Sequence, residues 1–140
     1  MDLIKISANE ALKMMEEGSL SSEEYVKAFL KQIELRENEV GAWIFLEPKL
    51  ALDQAREADK RWKDKTAGKL NGLPIGIKDI IDTKDMPTEN GSQLCKDRKP
   101  SKDAHLVKLL RNEGAVILGK CVTTAVSYTH LTLPTRDVGG

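Results

Sequence analysis

The sequence predicts an α/β fold, in which an N-terminal helical arm leads into the first strands of a helix-flanked sheet. Three observations carry that expectation. Residues 7–66 form a series of capped segments with apolar residues at helical spacing. Two uninterrupted apolar runs follow, Leu73–Ile77 and Ala115–Gly119, of the kind that a sheet buries on both faces. Between them lies a helix-period segment, and strand, crossover helix, strand is a parallel βαβ unit, right-handed by default.

Taken in order, Ser7-Ala-Asn-Glu10 is a capping-box pattern, in which a serine hydroxyl covers one free backbone N–H and a glutamate another. Leu12 and Met15 follow at helical spacing, and Gly18 is the expected stop. Ser21-Ser-Glu-Glu24 opens a longer helix with Tyr25, Phe29 and Ile33 on one face. Ala42–Leu46, "AWIFL", is aromatic and aliphatic and predicts a strand. Pro48 begins a third helix, with Leu52, Ala55 and Ala58 inward, running to about Lys65 with Gly68 as terminator. Beyond the second strand, "DTKDMPTENGS" is a polar connection rich in turn formers, where Ser92 reads as a turn residue. Ser101-Lys-Asp is placed to cap a helix carrying Leu106, Leu109 and Leu110, ended by Gly114.

Composition narrows the function. The 140 residues suffice for one domain with a sizeable core. They are 40% hydrophobic and 31% charged, too apolar for a disordered chain. Twenty-two basic and 22 acidic residues balance, so overall charge points to neither nucleic acid nor a membrane surface. Two cysteines without CxxC spacing and two histidines without a ligand cluster predict no metal, no cofactor and no disulfide framework. Both Cys95 and Cys121 read as small structural residues rather than nucleophiles. The acidic, amphipathic start is not a signal peptide, and no run has the ~18 apolar residues of a membrane span, so the cytoplasm is the expected compartment.

One residue stands out. The run "GLPIGIKD" delivers Lys78 where an apolar strand ends. A lysine acts as a base near neutral pH only if desolvation or neighbouring positive charge lowers its pKa, and an apolar strand entering a closed core supplies the desolvation. Asp79 pulls the other way by favouring the ammonium. On local chemistry alone two readings stay open, a solvated or ion-paired lysine at a strand end and a catalytic one.

"GLPIGIKDIIDTKDMPTENGS" followed by "DAHLVKLLRNEGAVILGK" resembles the N-terminal part of the amidase-signature family. Members carry a strand of the form G-(I/L/M)-P-(I/V)-x-(V/I)-K-D, then D-T-x-x-x-x-T-x-x-G-S, then a helix and G-A-V-(I/L)-L-G-K. The likeness spans roughly residues 20–124, most specifically Gly72–Lys120. It implies a mixed α/β sheet flanked by helices and a Ser–cis-Ser–Lys triad that cleaves amide bonds through an acyl-enzyme. Lys78 matches the triad lysine, whose implied role is to take the nucleophile's proton through the bridging serine. The family's two serines lie in a Gly/Ser-rich segment after the G-K strand, and no such segment occurs here, so Lys78 is the one catalytic residue the resemblance carries over. A small-molecule amide is the implied substrate, with no membrane and no direct nucleic-acid contact.

The segment 125–140 leaves the family pattern. Val126–Thr135, "VSYTHLTLPT", is what one frame of a transposase sequencing adapter encodes, and a glutamate codon's G followed by the adapter's CT spells Ala125. The expected division is therefore residues 1–124 as the N-terminal portion of an amidase-signature domain and 125–140 as a non-native adapter tail. Within the first part lie a helical arm at about 7–66, the lysine strand at about 73–79 and a βα unit to 120. Three functions follow: a stand-alone amidase, favoured by "GAWIFLEP" and the "VTT" after Lys120; the glutaminase component of a tRNA-dependent amidotransferase, working with a partner subunit that holds tRNA; and a truncated, non-catalytic fragment.

Overall fold

The computed structural model describes residues 2–123, so the tail from 125 to 140 lies outside the described residues. After a short 3₁₀ turn at Leu3–Lys5 come α1 (Ala8–Glu16), α2 (Ser22–Val40), β1 (Trp43–Leu46), α3 (Pro48–Lys63), β2 (Pro74–Lys78), a 3₁₀ turn at Gln93–Cys95, α4 (His105–Asn112) and β3 (Val116–Cys121). The expected α/β architecture is present, and the sheet is mixed. Central β3 pairs parallel with β2 and antiparallel with β1, giving the order β1-β3-β2.

Local capping sets the helix starts. Ser7 accepts from Glu10 N at 3.2 Å. At Ser21 the box closes on both sides: its hydroxyl accepts from Glu24 N at 3.1 Å, and Glu24 accepts from Ser21 N at 3.0 Å. Ser21→Ala is expected to cost about 1 kcal/mol, read as a fall in the urea midpoint with an unchanged slope. A midpoint that stays in place would show the cap to be redundant.

Two helix boundaries differ from expectation. α3 ends at Lys63, and the left-handed residue after it is Lys65, at φ 56°. Gly68 does not terminate it; a Cβ there would lie 2.6 Å from Glu113 O, so Gly68 serves close backbone packing. α4 starts at His105 behind Ala104, with no side-chain cap. Ser101-Lys-Asp does not cap it, because Asp103 accepts from Lys84 N at 2.8 Å and lies 3.3 Å from Arg111 Nε. Non-local partners outcompeted the local one. On α4 the inward residues are Val107 and Leu110, while Leu106 and Leu109 are half-exposed.

β3 is covered on both faces, as its uninterrupted apolar run predicts. Val116 and Leu118 pack with Val26 of α2 and Ala51 and Ala55 of α3. On the opposite face Ile117 packs with Ile77, Met86 and Val107. The arm closes over the start of β2 through Ala11, Met15, Leu20, Tyr25 and Leu73.

The register of β3 contains one irregularity that matters for the site. Ile75 pairs with Ile117 but Gly76 pairs with Gly119, which leaves Leu118 without a Cα partner on β2. An extra residue of this kind reverses the alternation of side chains beyond it. Lys120 thus joins the Ile117 face instead of the Val116–Leu118 face. On the other edge Ile44 is skipped between Trp43 and Phe45, so Phe45 pairs with Lys120 and packs with the same face.

Candidate functional site around the end of the lysine strand

β2 and β3 run parallel and end together, with Lys78 opposite Cys121. Ligands of open α/β sheets bind outside the carboxyl ends of such strands. Here the polar connection after β2 folds back over that end. Asp79 N donates to Cys121 O at 2.9 Å, and Asn90 N donates to Asp79 O at 3.0 Å. The result is a cleft of about 350 Å³ whose lining includes Ile44, Asp79, Glu89, Ser92, Lys96 and Val122.

Lys78 stands at this edge, exposed, with its ammonium donating to Val122 O at 2.6 Å. The expectation that an apolar strand carries Lys78 into a dry core is not met among the described residues. Ile77 takes the buried side of the strand end, and alternation turns Lys78 outward.

The buried lysine is Lys120. It is fully shielded from solvent, and its ammonium donates to Thr88 Oγ1 at 2.5 Å, Pro87 O at 3.1 Å and Thr83 Oγ1 at 3.3 Å. These partners use all three donors of the group. Asp79 Oδ1 lies 3.7 Å away as counter-ion. Burial pushes Lys120 below the ordinary lysine value, and the Asp79 carboxylate opposes that. Asp79 itself is 1% exposed and accepts from Glu89 N at 3.2 and 3.3 Å. Its carboxylate is thus committed to Lys120 and Glu89, whereas the residues read in order set it against Lys78 alone. The signal for Lys120 was present in the sequence: "AVILGK" delivers a lysine after an apolar run just as "LPIGIK" does.

The remaining candidates keep minor roles. Ser92 caps the 3₁₀ turn, accepting from Leu94 N at 3.3 Å, and is a turn residue as expected. Cys121 is half-buried, and burial raises its thiol above the usual range, which disfavours a thiolate nucleophile. Cys95 is also half-buried, with Asn90 Nδ2 3.8 Å from its sulfur. Among the described residues no helix is long and apolar enough to cross a membrane.

Known proteins share this fold. The sequence profile of the amidase family matches residues 24–133. That range takes in residues 125–133, which the codon argument assigns to adapter, so the two assignments overlap there. Over 119 residues the chain is 38% identical to one component of the glutamyl-tRNA(Gln) amidotransferase of Dehalococcoides mccartyi, its A chain, covering 85% of this chain and 24% of that protein. The native peptide amidase of Stenotrophomonas maltophilia superposes with a TM-score of 0.78 at 34% identity, over 84% of this chain and 24% of that one. A fatty acid amide hydrolase superposes with a TM-score of 0.82 at 29% identity, over 87% and 22%. The chain spans about a quarter of the length of the proteins it matches. With the profile covering most of its residues, and the strand, connection and G-K strand in the expected order, this chain belongs to the amidase family.

Proposed function

We propose that this chain is the N-terminal portion, residues 1–124, of an amidase that hydrolyses carboxamide C–N bonds, with Lys78 as the base of a Ser–cis-Ser–Lys triad. The observation that carries the proposal is the position of Lys78. It ends β2, and among the described residues its ammonium donates to the backbone O of Val122, a residue of the cleft lining, with no carboxylate within salt-bridge distance. In the proposed reaction the two serines come from the part of the protein beyond residue 124. Neutral Lys78 accepts the nucleophile's proton by way of the bridging serine, the serine oxygen attacks the amide carbon, and the amine departs with a proton. Water then cleaves the acyl-enzyme. The 140-residue chain alone lacks that second half and is expected to be inactive.

The full-length protein should release ammonia or amine from simple carboxamides. With hydroxylamine present, part of the acyl-enzyme should be diverted to hydroxamate. Amine release with no hydroxamate at any hydroxylamine concentration would count against an acyl-enzyme.

A second reading, the glutaminase component of a tRNA-dependent amidotransferase, draws on the 38% identity to a protein of such an enzyme. It predicts glutamine as the preferred amide and ammonia release that increases when a tRNA-holding partner is added. Equal rates with and without such a partner favour the stand-alone enzyme.

A further inference from the structure

We infer that Lys120 and Asp79 form a buried positioning pair whose charges cancel beside Lys78, so that Lys78 remains able to give up its proton. The inference rests on the reading of Lys78 as the catalytic base. It starts from two adjacent dipeptides. Lys78–Asp79 leaves β2 and Lys120–Cys121 ends β3, held together by the Lys78–Cys121 pairing and the 2.9 Å bond from Asp79 N to Cys121 O. Alternation leaves the Lys78 side chain exposed, while Asp79 is buried beside Lys120, which the Leu118 bulge has delivered to the interior.

A carboxylate one residue from a lysine favours its ammonium, and a buried one does so with little screening. Asp79 is such a buried carboxylate. The Lys120 ammonium at 3.7 Å offsets that field and at the same time anchors the connection after β2 through Thr83, Pro87 and Thr88. Asp82 and Arg98 are the other charges acting on Lys120. They pair with each other at 2.7 and 2.9 Å and so contribute little net field. Against Lys78 stands the Cys121 thiol, kept protonated by burial, with Glu37 acting on that thiol in turn. Glu89 and Lys96 line the cleft. All of these stay unchanged in the variants below.

The test uses the full-length protein and the acid limb of the kcat/KM–pH profile, which reports the base of the free enzyme. Lys120→Met exposes Lys78 to the uncompensated Asp79 charge and should move the limb to higher pH by about one unit. Asp79→Asn, with Lys120 still held by its three acceptors, should move it to lower pH. The double variant, which has neither charge, should return it close to the parental position. Thr88→Val removes a hydrogen bond but no charge and should leave the limb in place. A pair that only supports the fold would lower activity in each variant without this pattern of opposite shifts. Limbs that do not move, or that move the same way in both single variants, overturn the inference. If Lys120→Met does not fold, the direction in Asp79→Asn decides, and no downward shift overturns it.

A second readout is independent of catalysis. Competitive acetylation across pH, quantified for Lys78 by mass spectrometry, should show the same order of midpoints, with about tenfold less free amine in Lys120→Met at a pH below the midpoint. This separates the two failures. If Lys78 proves dispensable for turnover, the proposed function falls, while the labelling still decides whether Lys120 compensates Asp79.

Discussion

Replacing Lys78 by alanine in the full-length protein is expected to lower kcat/KM for a carboxamide by about 10²–10⁴-fold, the usual contribution of a positioned general base. The fold should survive. Lys78 is exposed and, among the described residues, its side chain bonds to Val122 O alone; surface substitutions of this kind stay within about 0.5 kcal/mol. Lys78→Arg sharpens the test: the guanidinium keeps the charge and reaches the same carbonyl, but it does not accept or release a proton near neutral pH. Both variants should be comparably inactive while melting near the parental temperature. Near-normal turnover in either one, with folding intact, would remove Lys78 from the mechanism.

The largest effect on stability is expected at Gly114, where Gly114→Ala should cost roughly 3 kcal/mol, the sum of two penalties. Gly114 has φ 84°, a region that costs a residue with a Cβ about 1–2 kcal/mol. The added carbon would also meet Asn71 Oδ1 and lie 2.9 Å from Asn71 Cα. Backbone does not swing aside as a flexible side chain does. Asn71 is further held by its amide, which donates to Ala58 O at 2.9 Å, and the neighbouring Gly72 N donates to Gly114 O at 2.9 Å. Overpacking there adds about 1–3 kcal/mol. Gly41→Ala supplies the control: φ is 59° but nothing lies within 4 Å of the new carbon. It should cost only the conformational part, about 1–2 kcal/mol. Denaturant midpoints of the two variants, compared at equal slope, measure the difference. Equal losses would show that the Asn71 contact yields freely.

Elements governed by near neighbours were readable from the residues. Ser21 and Glu24 lie three positions apart, and their box forms whatever the rest of the chain does. The strands at Trp43–Leu46, Pro74–Lys78 and Val116–Cys121 fall within a residue or two of the apolar runs that predict them. The miss at Ser101-Lys-Asp has a non-local cause: Asp103 finds Lys84 N, 19 residues away, in place of the helix start. At Gly68 the reason is similar, because Glu113 packs against it from the turn that follows α4.

The sequence by itself determined that Lys78 would end an apolar strand, that two such strands would flank a helix, and which family the strand and its following connection belong to. Tertiary structure alone decided which lysine is dry. Periodicity of two tells the faces of an unbroken strand, but an unpaired Leu118 reverses that count, and the bulge exists only in the register between β2 and β3. It sends Lys120 into the interior with Thr83, Thr88 and Asp79, while Lys78 stays exposed and bonded to Val122 O. The cost of burying a charge depends on what surrounds it after folding. That environment is assembled from residues more than thirty positions apart in the chain, as the 3.1 Å bond from Lys120 to Pro87 O and the 2.6 Å bond from Lys78 to Val122 O illustrate.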